Sequence, residues 1–370
     1  MYNSLPVKKA LFIIFGIFFV LLLLFVTQFA VKQKVQRDIS SVASTDVRVS
    51  PTPYTTVIPK DNETQSVFVP YWTMGNGIEG AEDRFIYFGI SVDTTGINKD
   101  DEGYRRLNQF VNQFDNNTET YLTVRMLDQE TNFEILEDPL MQDRVISETM
   151  ELVDTYGFDG VVLDLELKAF PFDSVVSQIN EFIMLFYQEA KRQNTQFAVA
   201  IYGDTFYRVR PFDVKYIAKN ADEMMIMAYD FHKSGGNPGP NFPLHGGEIY
   251  GYDYREMIHD FLAVVPPEKL TVIFGMFGYN WYVDDKNISL ASGEPLSMLQ
   301  MQARYGINCS YRNCVQKRDD LSSETTISYI DENDNKHVVW FEDSESVKAK
   351  KKFLQERGVN SFSHWAYSYY

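Results

Sequence analysis

The chain has 370 residues, of which 45% are hydrophobic and 15% aromatic, and its formal net charge is −17. This composition is typical of a folded protein and excludes a chain that is disordered throughout. The negative charge argues against a nucleic-acid partner, because phosphate binding needs clustered lysine and arginine. It also favours a neutral polymer as ligand over a strongly anionic one, unless a local basic patch overrides it. The sequence contains no cluster of cysteine and histidine, so we expect neither a metal nor a cofactor.

The first part of the sequence is predicted to anchor the chain in a membrane as a single-pass protein. Leu11 to Val31 is a run of 21 residues without a charge, long enough to cross a bilayer as a helix. It exceeds the apolar region of a cleavable signal peptide, so we interpret it as an uncleaved signal anchor. Residues 1–10 then form a cytoplasmic tail, and residues 32–65 form an extended stalk. Basic residues flank the span almost equally, so an extracytoplasmic location for residues 66–370 rests on the activity inferred below.

From Ser66 onward, short apolar runs alternate with amphipathic helical stretches. Several of the runs are apolar on both faces, as strands of a buried parallel sheet are. Eight such strands with helices between them predict an α/β fold, a (β/α)8 TIM barrel, over residues 66–370. The predicted strands are Val67–Tyr71, Phe85–Val92, Tyr121–Met126, Gly160–Asp164, Phe197–Tyr202, Glu223–Ala228, Leu270–Gly275 and Ser361–Trp365.

Two features interrupt this pattern. A long excursion, Trp281 to Asp343, separates the seventh and eighth strands and contains a predicted hairpin, Thr326–Ile330 with His337–Phe341. It also holds Cys309 and Cys314, whose spacing leaves open a disulfide or two free thiols. Only five residues follow the eighth strand, so we expect the segment before the barrel to cover the position of the last outer helix.

The fourth predicted strand carries two carboxylates on one face. Side chains alternate along a strand, so Val162, Asp164 and Glu166 project together into the barrel. Glu166 comes last, at the carboxyl end where barrel active sites lie. The two charges repel each other in a partly dry environment, so at least one pKa should rise, as general-acid catalysis near neutral pH requires. The alternative is a structural pair satisfied by buried arginine or lysine.

The residues around this pair fit a known motif. Asp159-Gly160-x-x-x-Asp164-x-Glu166 resembles the DGxDxDxE motif of glycoside hydrolase family 18, the chitinase family. The resemblance implies a (β/α)8 barrel and a retaining mechanism in which the substrate's acetamido group, not an enzyme side chain, is the nucleophile. It also implies that Glu166 is the acid/base and that Asp164 orients and stabilises the acetamido group.

Further motifs extend the resemblance in the family's order along the chain. Met225 to Asp230 is similar to the M-x-Y-D element of the sixth strand. This implies that Tyr229 hydrogen-bonds the acetamido carbonyl and that Met227 and Asp230 contact the sugar. Trp365 stands where the family keeps the tryptophan that floors the sugar subsite at the cleaved bond.

Other elements add candidate sugar contacts and a subfamily. Tyr279 and Trp281 belong to a segment that looks like the seventh-strand G-x-x-x-Y-G-x-x-W element, although both also fit a packing role at the barrel rim. Tyr71, at the end of the first strand, lies in a Pro-Tyr-Trp element familiar from the family. Two segments resemble elements of the bacterial cortex-lytic branch, which acts on peptidoglycan: Phe231–Pro240 and Val338–Asp343.

One position departs from the family. Val162 replaces the middle aspartate of the motif, which in the family shares a proton with the next aspartate. Its loss removes a like charge beside Asp164, which should therefore ionise more easily. We expect slower or pH-shifted catalysis rather than its abolition, because Glu166, Asp164 and Tyr229 are present.

Together the motifs predict a membrane-anchored glycoside hydrolase that cleaves β-1,4-linked N-acetylglucosamine polymers outside the membrane. The cortex-lytic resemblance favours peptidoglycan, whereas the acidic net charge fits a neutral chitin-type chain, so both substrates stay open. The competing interpretation is a non-catalytic, lectin-like barrel that keeps the sugar-binding cleft. The presence of Glu166 argues for the enzyme.

Overall fold

The computed structural model describes residues 63–75, 77–115, 117–306 and 309–370. The predicted cytoplasmic tail, the predicted membrane span and nearly all of the predicted stalk lie outside these ranges. The same is true of most of the segment expected to cover the last helix position. Within the described ranges, no helix combines the length and the apolar character that crossing a membrane requires.

Fourteen strands lie within the described ranges, and eight of them form a closed barrel. In chain order the strands are β1 (Thr64–Pro70), β2 (Arg84–Asp93), β3 (Gly96–Ile97), β4 (Glu119–Met126), β5 (Gly160–Leu165), β6 (Gln196–Tyr202), β7 (Glu223–Ala228), β8 (Leu270–Gly275), β9 (Phe277–Val283), β10 (Glu294–Ser297), β11 (Arg312–Arg318), β12 (Thr325–Ile330), β13 (Lys336–Phe341) and β14 (Ser361–Trp365). The barrel strands β1, β2, β4 to β8 and β14 are parallel, and β1 closes the circle by pairing with both β2 and β14. All eight predicted strands overlap them, which confirms the (β/α)8 fold.

The excursion between β8 and β14 forms a second, antiparallel sheet of five strands in the order β10-β9-β13-β12-β11. The predicted hairpin is confirmed as β12 and β13, in which Ile330 lies opposite Lys336. The sequence pattern predicts none of the other three strands. In β9, Gly278 permits the close approach of β13, since a Cβ there would lie 1.9 Å from the carbonyl oxygen of Trp340. A disulfide joins Cys309 and Cys314, which resolves the alternative that their spacing left open.

Helices surround the barrel and pack their apolar faces against it. The described α-helices are α1 (Glu102–Arg105), α2 (Leu107–Val111), α3 (Gln129–Glu137), α4 (Pro139–Tyr156), α5 (Asp173–Arg192), α6 (Val214–Ile217), α7 (Gly247–Tyr250), α8 (Tyr254–Leu262), α9 (Met298–Tyr305) and α10 (Ser344–Gln355). In α5, Ile179, Phe182 and Phe186 recur at helical spacing and are all buried. Asp343 precedes α10 as its N-cap, and its carboxylate accepts hydrogen bonds from the N–H groups of Glu345 and Ser346 in the first turn.

The barrel interior is layered. At the amino ends of the strands, the buried guanidinium of Arg84 lies 2.6 Å from Glu223 and 3.1 Å from Glu119. An apolar cluster from alternating strand positions fills the middle: Phe68, Ile86, Phe88, Tyr121, Val162, Ala198, Ala200, Tyr202, Met225, Met227 and Ile273. Asp164 lies near the carboxyl end of β5. Arg84 therefore neutralises other carboxylates, at the opposite end of the barrel from the predicted pair.

Candidate active site

β5, the fourth barrel strand, carries the predicted carboxylate pair to the carboxyl end of the barrel. Val162 and Asp164 are buried, and Glu166, just beyond the strand, is half-buried. The strand register places Asp164 beside Arg125 of β4 and Ala200 of β6. The alternation expected from the sequence therefore brings both carboxylates to the site.

Glu166 is fixed by hydrogen bonds to its side chain and its backbone. The hydroxyl of Tyr202, the last residue of β6, donates to Glu166 Oε2 at 2.7 Å. The Glu166 N–H donates to the carbonyl of Met126 at 2.9 Å, and Nδ2 of Asn132 donates to the Glu166 carbonyl at 3.0 Å. Tyr202 lies outside the predicted set. Tyr202 ends the strand next to β5, and this position at the carboxyl end of the barrel could have identified it as a site residue.

Asp164 is a buried acid that lacks a hydrogen-bond donor on one oxygen. Its Oδ1 has no partner among the residues that the structure describes. Burial and the neighbouring charge of Glu166 raise the pKa of Asp164 to about 8, against the lowering effect of Arg125. The Arg125 guanidinium donates instead to Asp101, at 2.8 Å. Because buried polar atoms rarely stay unpaired, we expect a ligand to supply a donor to Asp164.

Tyr229 follows β7 directly and belongs to the same site. Its ring stacks on Trp365, with the ring centroids 6.5 Å apart, and meets Phe277 edge-on at 5.8 Å. Burial raises the pKa of the Tyr229 hydroxyl well above its usual value, and the charges of Asp164 and Glu166 act in the same direction. The hydroxyl therefore stays protonated and is available as a hydrogen-bond donor.

Asp230 is held in an unusual backbone conformation. Its φ of 58° lies in the left-handed region, which residues other than glycine rarely adopt. Oδ1 of Asn241 accepts from the Asp230 N–H at 2.7 Å, while Nδ2 of Asn241 donates to the carbonyls of Gly275 and Phe277. The hydroxyl of Tyr279, in β9, donates to the Asp230 carboxylate at 2.7 Å. Asn241, which directly follows the predicted cortex-lytic loop, is a second supporting residue outside the predicted set.

Trp365, at the end of β14, is the centre of an aromatic cluster. Its ring lies 4.6 Å from Phe88, 5.8 Å from Phe68 and 6.5 Å from Trp72, measured between centroids. Trp72 is 47% exposed. Tyr71, the predicted sugar contact, packs instead against the hydrophobic core between the barrel and its helices. The exposed ring beside Trp365 is therefore that of Trp72, the residue next to the predicted one.

The remaining predicted sugar contacts differ in accessibility. Trp281 is fully buried in β9, and its Nε1 donates to the carbonyl of Ser234 at 3.1 Å. Its ring has no open face for a sugar, so the structure supports a packing role for Trp281. Met227 is buried in the barrel-interior cluster, against which Tyr229 packs. Tyr279 is buried as well, but its hydroxyl reaches Asp230.

A cleft of about 660 Å³ opens beside Asp230 and Trp365. Tyr279 of β9, Leu296 of β10 and Gln300 of α9 also line it, so the inserted segment forms one of its walls. A larger cavity of about 780 Å³ lies beside α10 and contains none of the predicted site residues. Side-chain chemistry, not cavity size, therefore locates the site. Within the described ranges, no group of three or more His, Cys, Asp or Glu side chains is placed to hold a metal ion.

We compared the chain with models of known protein families. Residues 64–369 match the family of glycosyl hydrolases family 18. The chain belongs to this family. The family predicted from the carboxylate motif and the ordered elements around it is thereby confirmed.

Relatives of this family-18 chain include proteins of Bacillus species. The cortical fragment-lytic enzyme of Bacillus anthracis is 24% identical over 241 residues, which cover 62% of this chain and 51% of that protein. The chain spans about half the length of the curated relatives it matches.

Solved structures share the fold. The spore cortex-lytic enzyme SleL of Bacillus cereus is 19% identical with a TM-score of 0.68, covering 85% of this chain and 73% of that one. A variant of a family-18 chitinase from Cycas revoluta, in complex with (GlcNAc)4, is 18% identical with a TM-score of 0.70, covering 83% of this chain and 95% of that one.

Proposed function

We propose that the chain hydrolyses β-1,4-linked N-acetylglucosamine polymers of the peptidoglycan or chitin type, with the substrate's own acetamido group as nucleophile. The observation that carries this proposal is the pair at the end of β5. Glu166 is held by Tyr202, and Asp164 beside it has a buried oxygen without a partner among the described residues. Two carboxyl groups in different environments at the carboxyl end of a barrel suit acid/base chemistry with divided roles.

The proposed reaction has two steps. Glu166, in its acid form, donates a proton to the glycosidic oxygen while the acetamido carbonyl oxygen attacks the anomeric carbon. Asp164, in its ionised form, accepts a hydrogen bond from the acetamido N–H and stabilises the positive charge that develops there, and Tyr229 donates to the acetamido oxygen. Water activated by Glu166 then opens the cyclic intermediate, and the anomeric configuration is retained. The acetamido N–H is thus the donor that Asp164 lacks.

The comparisons bear on the substrate in two directions. The relatives named as cortical fragment-lytic and spore cortex-lytic enzymes support a peptidoglycan substrate. The chitinase in complex with (GlcNAc)4 supports a chitin-type chain. The exposed ring of Trp72 beside Trp365 suits the apolar face of a sugar in either polymer.

A matched pair of variants tests the reaction. The 370-residue chain is incubated with chitooligosaccharides and with peptidoglycan strands, and new reducing ends are counted. Glu166→Gln keeps the side-chain shape but loses the acid, so we expect turnover to fall at least about 100-fold. Glu181→Gln, on the exposed face of α5, should leave turnover unchanged. Equal turnover by Glu166→Gln would contradict the mechanism, and wild-type binding without turnover would favour the lectin-like alternative.

We also propose that residues 11–31 anchor the chain in a membrane, with the barrel on the extracytoplasmic side. The uncharged run of 21 residues supports the anchor. The disulfide between Cys309 and Cys314 supports an oxidising compartment. The chain should stay in the membrane fraction after an alkaline wash, and protease added outside intact cells should digest the barrel. Recovery in the soluble fraction, or protection from the external protease, speaks against this placement.

A further inference from the structure

A further cavity, about 370 Å³ in volume, shares no lining residue with the cleft at Asp230 and Trp365. We call it the rim pocket; it is lined by Lys168, Phe170, Arg208, Val209, Arg210 and Lys233. Four of these side chains are cationic and none is acidic. In a chain with a net charge of −17, such a concentration of positive charge is unexpected unless it has a local role.

The rim pocket borders the proposed acid. The guanidinium of Arg210 lies 3.8 Å from the ring centroid of Tyr202, whose hydroxyl donates to Glu166. Lys168 follows Glu166 by two residues in the loop after β5. Lys233 is close enough to Asp230 that its charge opposes the effect of burial, which raises the pKa of that carboxyl. A group bound in the rim pocket therefore lies next to the site of bond cleavage.

The cations of the rim pocket are only partly neutralised within the protein. Arg208 and Arg210 share a single buried carboxylate, that of Asp204, at 2.8 Å and 2.6 Å. Lys168 and Lys233 form no ion pair with any carboxylate in the part of the chain that the structure describes. Ion pairing with Asp204 thus accounts for the two arginines, and within the described residues the two lysines keep no ion-pair partner and are available to a ligand.

Apolar surface accompanies this charge. Phe170 and Val209 line the rim pocket and are 69% and 65% exposed. Phe172, whose ring centroid lies 6.1 Å from that of Phe170, is 65% exposed. Exposed aromatic faces beside ammonium groups suit a ligand that combines an apolar portion with a carboxylate. An uncharged chain of N-acetylglucosamine has no negative charge to pair with the cations.

We propose that the rim pocket binds a carboxylate carried by the glycan next to the cleaved bond, so that Lys168 and Lys233 select peptidoglycan-type chains over uncharged chitin. This rests on the proposed function, because the pocket acts only on a glycan that occupies the site at Glu166. The net charge alone favours a neutral polymer, and the rim pocket is the basic patch that overrides it. Carboxylates occur in peptidoglycan on its peptide stems and, where stems have been removed, on the lactyl groups of its sugars.

Binding measured without turnover tests the pocket separately from the reaction. In the Glu166→Gln background, affinity is measured by calorimetry for peptidoglycan strands with free carboxylates and for the same strands with carboxylates converted to methylamides. We expect the free form to bind about tenfold more tightly, an advantage that falls as salt is added. Adding Lys168→Gln and Lys233→Gln should abolish the advantage. Lys219→Gln, an exposed lysine after α6, should preserve it.

Two arms identify the carboxylate. Strands that keep their peptide stems and strands stripped by an amidase are compared, because only the stripped strands expose lactyl carboxylates. An advantage of the free form in either set supports the pocket and names the source. Equal affinity for free and amidated strands in both sets, or an advantage that survives the double lysine variant, overturns the proposal. If strands with free carboxylates keep their binding advantage but the wild type shows no turnover, only the proposed hydrolysis is refuted.

Discussion

Tyr202 is the side chain that positions the proposed acid. Its hydroxyl donates to Glu166 at 2.7 Å, and its own ring is fixed under the guanidinium of Arg210. We expect Tyr202→Phe to lower kcat about tenfold with a smaller change in KM, because the acid loses the hydrogen bond that orients it. Tyr282→Phe, at an exposed position of β9, is the matched control. An unchanged kcat in Tyr202→Phe would show that Glu166 does not depend on this contact.

Val162 stands at the middle position of the motif that this segment resembles, and the structure places it in the apolar interior of the barrel. Val162→Asp adds a second carboxylate on the face of Asp164, so its charge should raise the pKa of Asp164 further. We expect the rising limb of the pH–rate profile to move to higher pH relative to Val162→Asn, which is neutral and has the same shape. The profile of kcat/KM against pH measures this. Coinciding profiles for the two variants rule out the expected coupling.

The raised pKa of Asp164 also makes folding stability depend on pH. Its value is about 8 in the folded protein, against an ordinary 3.8. Between these values the folded protein keeps a proton that the unfolded chain has lost. The stability contributed by this group is therefore fully present below about pH 4 and is lost as pH rises through about 8. Melting temperatures of the wild type should fall relative to those of Asp164→Asn over that range, and a pH-independent difference would disprove this.

Sequence pattern located the acids but not their supports. Alternation along one strand was enough to place Asp164 and Glu166 on the same inward face. Tyr202 and Asn241 come from a neighbouring strand and from a loop, and their hydrogen bonds depend on register and side-chain rotamer. Neither property is encoded in a local pattern. The burial of Trp281 depends in the same way on β9, a strand that the pattern did not predict.

At the scale of elements, a buried ion pair links α10 to the loop that holds the site. Lys350 of α10 is fully buried, with Nζ 2.8 Å from Glu324 and in contact with Glu342. Glu324 also accepts from the N–H of Asn241, and Asn241 in turn holds Asp230. A helix on the outside of the barrel therefore supports a residue of the cleft through three successive hydrogen bonds.

Removing the cation of this network should be costly. Lys350→Met leaves the two buried carboxylates of Glu324 and Glu342 without their shared cation, so we expect the free energy of unfolding to fall by about 3–5 kcal/mol. Lys348→Met, at an exposed position of the same helix, should change it little. Urea denaturation of both variants measures the difference. Similar losses in the two variants would mean that the buried pair does not stabilise the fold as proposed.

The barrel strands were predictable because most are apolar on both faces, whereas three of the five strands of the inserted sheet, β9, β10 and β11, were not. A single residue, Met276, separates β8 from β9, so the sequence of the two strands looks like one apolar run. β11 (Arg312–Arg318) is charged and mostly exposed, without the alternation that indicates a half-buried strand. Only the hairpin of β12 and β13 has a predicted turn between two runs of residues that favour strands.

For the whole molecule, net charge and local charge act at different distances. The total of −17 governs solubility and the approach of distant charges, whereas salt at physiological strength screens fields beyond about 8 Å. A carboxylate inside the rim pocket is surrounded by four cations at much closer range. An acidic protein can therefore select an acidic substrate, provided that the contrary charge is concentrated where the substrate binds.

The hydrogen bond from Tyr279 to Asp230 joins the inserted sheet to the barrel at the cleft. Such coupling is reciprocal: the free energy that an ordered sheet adds to sugar binding equals the free energy by which a bound sugar stabilises the sheet. Affinity can then be tuned by substitutions anywhere in the sheet that alter its local unfolding, without a change to any acid, base or aromatic contact. The insertion thus offers evolution a means of adjusting binding strength that is independent of the chemistry.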